Sequence, residues 1–251
     1  MSRQHRDRSR AGLPGDARLA LAEGGERARE FAVAAKPKLR GWLHAGAFPL
    51  VTAASIVLVV LAPSTQARVA SAVFGVTAAL LFGTSALYHR GNWSPRVAAI
   101  LKRFDHSNIF LIIAGSYTPL TILLLPEGKA TILLWIVWGG SLLGVLFRIF
   151  WVGAPRWLYT PAYILLGWAA VAYLPDFGRN GGPAVLTLIV VGGVLYTLGG
   201  LVYGLKRPDP SPRWFGFHEV FHAFTVAAFV AHYVGISLTV YGAVPAAAAA
   251  P

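Results

Sequence analysis

The chain has 251 residues, of which 56% are apolar and 13% charged, and its mean hydropathy is +0.59. Soluble domains carry about 25% charged residues, so this composition excludes an ordinary soluble enzyme and indicates a polytopic membrane protein made of consecutive spans of about 20 residues. There is no cysteine, which excludes a disulfide framework, a thiolate metal site and a cysteine nucleophile.

Met1 to Arg40 hold ten Lys/Arg against five Asp/Glu and no sustained apolar stretch. A secretory signal would need an apolar h-region. The segment reads as a basic, disordered cytoplasmic tail over 1–40, with a task on anionic lipid as the lesser alternative.

Seven apolar segments follow, at roughly 42–62, 69–88, 105–125, 130–150, 157–174, 184–205 and 215–241. They predict an all-α, seven-transmembrane helix bundle over 41–241, with an Ala-rich extracytoplasmic tail at 242–251. Pro63, Pro95, Pro126, Pro155, Pro175, Pro183 and Pro208 fall between the segments, where residues that end helices belong. Trp42, Trp93, Trp151, Trp157 and Trp214 lie at their edges, where amphipathic rings collect. With the N-terminus inside, nineteen Lys/Arg fall in inner segments and three in outer ones. That bias predicts a multi-pass protein of the cell membrane with a cytoplasmic N-terminus and an external C-terminus. It also accounts for the net charge of +12 without a nucleic-acid partner.

The topology places the polar residues by depth. The second segment ends Ser85-Ala86-Leu87-Tyr88-His89, with Ser85 and His89 one turn apart on a helix. Asp105-His106 open the third segment, and His218-Glu219-Val220-Phe221-His222 open the seventh. His218 and His222, four apart, can grip one ion from a single helix face. Three helices thus bring Ser85, His89, Asp105, His218 and His222 to one level at the cytoplasmic end, where buried ionisable groups must pair or coordinate. A metal site is the reading that uses all of them. His44, at the inner end of the first segment, is an interfacial anchor or a supporting partner of the site. His106 points about 100° from Asp105 on a helix and is not expected to be a ligand. His232, ten residues past His222, is expected to hydrogen-bond a Ser or Thr of the bundle. Gly140-x3-Gly144 and Gly200-x3-Gly204 allow close helix packing.

The three-part pattern Ser85-x3-His89, Asp105-His106 leading to Ala114-Gly115-Ser116-Tyr117-Thr118-Pro119, and His218-x3-His222 resembles the hemolysin III family over about residues 40–241. That family belongs with the progestin and adiponectin receptors (PAQR family) and, more remotely, the alkaline ceramidases. The resemblance implies a seven-helix bundle with Zn2+ held by His89, His218 and His222, and with Ser85 and Asp105 holding or activating water at the metal.

Three imidazoles leave zinc a fourth position, the pattern of catalytic rather than structural zinc. Between apolar walls such a site suits a lipid amide or ester, so an intramembrane zinc-dependent lipid hydrolase is the leading reading, with a membrane lipid as substrate or ligand. In it Asp105 is the proton acceptor and Ser85 a hydrogen-bond donor. Three alternatives stand beside it. One is a receptor or sensor with structural zinc. Another is a membrane-lytic protein, which would need a polar stripe that these spans lack. The third is an HExxH protease with Glu219 as base, for which no acidic third ligand follows in the seventh segment.

Overall fold

The computed structural model describes residues 37–151 and 153–242, so the expectations for most of the basic tail and for the Ala-rich end lie outside the described residues. Helix α1 covers Trp42–Val60, α2 Thr65–Arg90, α3 Pro95–Leu124 and α4 Glu127–Phe150. Helix α5 covers Arg156–Gly167, a short 3-10 turn Val171–Tyr173, α6 Leu174–Leu205 and α7 Phe217–Gly242. Apart from a single bridge between Ser211 and Phe215, regular structure among the described residues is helical, as the apolar segments predict.

The ends of these helices follow from local chemistry. Ser64 accepts the Ala67 amide at the start of α2 and Ser94 the Val97 amide at the start of α3, where Pro95 is the first helical residue. A serine N-cap followed by proline at N1 is a strong start signal. It moves the start of α3 ten residues ahead of the apolar run expected from 105. Asp105 therefore sits about 15 Å inside its helix, at about 1.5 Å per residue, rather than at its mouth.

The bundle buries an apolar core interspersed with polar groups, and its outer surface is apolar as well. Leu50, Trp135, Leu143 and Phe150 are each more than two thirds exposed, which suits a hydrocarbon surround and not water. Helix α3 is the innermost, with 67% of its apolar window buried. Hydrogen bonds fasten it to its neighbours: Asn108 Nδ2 donates to Leu80 O at 2.9 Å, Ser141 Oγ to Phe110 O at 2.8 Å and Trp138 Nε1 to Thr118 Oγ1 at 3.1 Å. Such bonds hold where apolar contact alone gives helices no preference for each other over lipid.

By length and composition, six stretches of the described residues can cross a membrane, and Arg156–Leu205 counts as one of them. That stretch departs from the two clean segments expected at 157–174 and 184–205. Helix α5 stops at Gly167, and the Tyr117 hydroxyl from α3 takes up the freed backbone groups, donating to Gly167 O at 2.6 Å and accepting from Ala170 N at 3.0 Å. Helix α6 is in turn broken at Gly182, whose φ of 79° and ψ of 173° lie outside the helical region. Pro175 and Pro183 thus lie within α6 rather than between helices. After Gly182 the chain returns along α5: Trp168 Nε1 donates to Thr197 Oγ1 at 2.9 Å, and Arg156 Nη1 to Tyr203 O at 3.4 Å.

Candidate metal centre

His89 is in the last turn of α2, and His218 and His222 are in the first turns of α7. One ligand nitrogen from each lies within 4.8 Å of the others, and His218 Nε2 is 3.2 Å from His89 Nε2. Tetrahedral zinc with Zn–N of about 2.0–2.1 Å places its nitrogens about 3.4 Å apart, so the donor set fits one ion after small rotations of the rings. Three neutral nitrogen donors also match the ligand preference of zinc and of copper, nickel and iron.

Both other expected residues come to the same place. Asp105 Oδ2 is 3.7 Å from His89 Nε2. Ser85 is 1% exposed, and its hydroxyl lies within interaction reach of the Asp105 carboxylate. Asp105, Ser85, His218 and His222 line one cavity of about 110 Å³. The cavity extends along α7 as far as His232, about 15 Å beyond His222 at about 1.5 Å per residue, and its middle is walled by Ile109, Ile113 and Trp168. The cavity thus joins a polar end beside the imidazoles to a longer apolar stretch.

His44 supports the site directly. Its ring stacks face to face on His222, with centroids 3.8 Å apart and planes 3° from parallel, while both of its nitrogens are buried without a partner. The turn before α1 is equally constrained. Gly41 has φ of 80°, and a Cβ there would lie 2.6 Å from His89 Cβ, so both the backbone and the space require glycine.

Other expectations change. Glu219 is 1% exposed; its carboxylate pairs with Arg40 and accepts the Gly216 amide at 2.8 Å. It thereby closes half of a capping box at the start of α7. Both of its oxygens are therefore engaged within the protein. His106 lies outside the imidazole trio and lines the cavity, with Arg148 Nη2 2.6 Å from its Nδ1. His232 bonds the backbone carbonyl of Ile189 at 3.3 Å instead of a Ser or Thr. Gly144 sits against the ring of Phe110 and Gly140 against Leu166, in keeping with close packing. Tyr203, Tyr163 and Tyr196 also line the cavity; aromatic residues in apolar segments carry no sequence signal that separates a cavity wall from core.

A family model described as Haemolysin-III related matches residues 33–233. Hemolysin-3 of Bacillus cereus is 33% identical over 161 residues, which cover 64% of this chain and 70% of that protein. A hemolysin-3 homolog of Bacillus subtilis (strain 168) is 34% identical over 146 residues, 58% of this chain and 68% of that protein. The adiponectin receptor protein of Drosophila melanogaster is 26% identical over 196 residues, 69% of this chain but only 43% of the receptor.

Proposed function

Because the chain belongs to the haemolysin-III-related family, whose weaker likeness reaches an adiponectin receptor, we propose that it is a multi-pass membrane hydrolase that cleaves a lipid amide or ester at a zinc centre. His89, His218 and His222 would hold the ion. The observation that carries this reading is the meeting of three imidazoles, an acid and a buried hydroxyl at the polar end of one apolar cavity.

Bound there, zinc would supply Lewis acidity toward the scissile carbonyl and make water acidic near neutral pH. Asp105 accepts the proton of the attacking water at a carboxylate oxygen and passes it to the leaving amine or alkoxide, which needs a group within hydrogen-bond reach of both. Ser85 donates its hydroxyl proton as a hydrogen bond to the developing oxyanion. His44, pressed on His222, holds that ring in place. The apolar walls align the acyl chain and keep bulk water from the reacting carbonyl.

The same reading gives the bundle seven crossings, with the N-terminus in the cytoplasm, the C-terminus outside and the site at the inner face of the cell membrane. Two observations support it. A single helix of 50 residues would be about 75 Å long against a hydrocarbon core of about 30 Å. Arg156 and Tyr203, near the two ends of that stretch, also touch, as they must if it crosses out and back. The charge bias supports the orientation.

The test is zinc content and free fatty acid release from detergent-solubilised ceramide-like lipids. Asp105→Asn should keep the zinc and lose about 10²–10⁴ in rate, as general-base removal does. Stoichiometric zinc without turnover of any acyl lipid would favour the second reading, a zinc-stabilised receptor, to which the likeness to an adiponectin receptor lends support.

A further inference from the structure

Arg148 is the most anomalous side chain in the fold. It lies in the last turn of α4, among Phe147, Ile149 and Phe150, and is 1% exposed. A cytoplasmic charge that merely sets orientation can extend its head to the interface; this one turns inward. Its Nη2 is 2.6 Å from His106 Nδ1 and its guanidinium lies 4.4 Å over the Tyr159 ring, while Nε and Nη1 have no partner. Among the described residues no carboxylate pairs with it. The buried acids are engaged elsewhere: Glu219 with Arg40, Asp105 beside His89, and Asp176 with Lys129 and Arg179. A buried cation without a counter-charge is costly and marks a functional position within a membrane.

The hydrogen bonding carries that charge to the cavity. Arginine can only donate, so His106 Nδ1 accepts, and the neutral ring keeps its proton on Nε2. That nitrogen is 3.4 Å from the Tyr203 hydroxyl, and the rings of Tyr203 and His218 are 5.8 Å apart. A second guanidinium, that of Arg156, lies 4.6 Å over the Tyr203 ring. His106 and Tyr203 both line the cavity, whereas Arg148 stands behind them. With its proton on Nε2, His106 donates to the Tyr203 oxygen, which also lies 3.3 Å from the Tyr159 hydroxyl, so the wall beside the imidazole trio presents the Tyr203 O–H backed by two permanent cations.

We propose that this wall binds an anionic oxygen group, a carboxylate or phosphate, on the lipid that occupies the cavity. Tyr203 makes the contact, and His106 orients its hydroxyl. Arg148 is the positioning residue: it fixes the tautomer of His106 and supplies the positive field. The inference rests on reading the cavity as a lipid site and narrows its ligand from any acyl lipid to an anionic one. Unit charges about 8 Å apart at an effective dielectric of about 20 attract enough to shift affinity about 30-fold.

The experiment measures binding of palmitate, hexadecyl phosphate, hexadecanol and inorganic phosphate to the purified full-length, zinc-loaded protein, alongside Arg148→Met and Tyr203→Phe. Zinc content and melting midpoint are followed in each. The wild type should prefer both anionic lipids over hexadecanol. Arg148→Met should lose about 30-fold of anionic affinity, keep hexadecanol binding and zinc, and melt no lower than wild type, since replacing an unpaired buried charge by an apolar side chain is neutral or stabilising. Tyr203→Phe should lose about tenfold, the scale of one hydrogen bond to a charged group. The ¹⁵N spectrum should show the His106 proton on Nε2 in the wild type and a mixture of tautomers in Arg148→Met. Competition by inorganic phosphate would name a free anion as the source; its failure to compete would name the lipid headgroup. Equal wild-type affinity for acids and alcohol would overturn the proposal. So would an undiminished anion preference in Arg148→Met, or a loss of hexadecanol binding together with a lower midpoint. Arg148-dependent anion binding in a protein that hydrolyses no acyl lipid would remove the hydrolase reading and leave this site standing.

Discussion

Gly41→Ala tests how tightly the turn before α1 is built against the metal ligands. At φ of 80° an L-residue pays about 1–2 kcal/mol for the left-handed conformation. The new methyl would also lie 2.6 Å from His89 Cβ and 3.4 Å from the Arg90 side chain. His89 is at the end of α2, so the overlap is relieved by pushing its ring out of register with His218 and His222. Disturbing the support of a ligand in this way commonly costs about 10–100-fold in metal affinity. The assay is zinc affinity by competition with a chromogenic chelator, with the melting midpoint in parallel. Gly46→Ala is the control, since nothing lies within 4 Å of its Cβ position in the second turn of α1. It should be neutral or stabilise by up to about 1 kcal/mol. Zinc affinity in Gly41→Ala within twofold of wild type would refute the claim that this turn holds His89 in place.

Glu219→Gln should keep zinc and turnover but lower stability by about 1–3 kcal/mol, the cost of leaving buried hydrogen-bonding groups badly matched, because Arg40 and the Gly216 amide both depend on that carboxylate. Chemical denaturation together with the fatty acid assay checks it, and an inactive but stable variant would restore the protease reading. A reporter fused after Arg40 should be cytoplasmic and one fused after Pro251 external. A cytoplasmic C-terminus would mean that Arg156–Leu205 crosses once.

The residues that make up the centre could be read from the sequence because they depend on helical spacing alone. Ser85 with His89, and His218 with His222, share faces whatever the tertiary arrangement. The common depth of three span ends then follows from the order of the apolar segments. What depends on packing could not be read this way. Arg148 reads in the sequence as one of the inner charges, yet nothing local says that its head turns toward His106 rather than toward solvent. The stacking of His44 on His222 needs the angle between α1 and α7. The break at Gly167 is filled by a tyrosine 50 residues earlier in the chain, a pairing that periodicity cannot supply. The start of α3 was legible in principle: Ser94-Pro95 is a helix-start signal, but three basic residues between Arg96 and Arg103 make the following turns look like loop. They are in fact the first turns of the helix that starts at Pro95.

The most direct test of the central claim is the metal content of the protein purified without chelator. Elemental analysis should give about one zinc per chain. His218→Ala and His222→Ala should each lose it while remaining folded enough to be extracted as intact membrane protein. Metal-free wild type, or full zinc in both variants, would contradict the account.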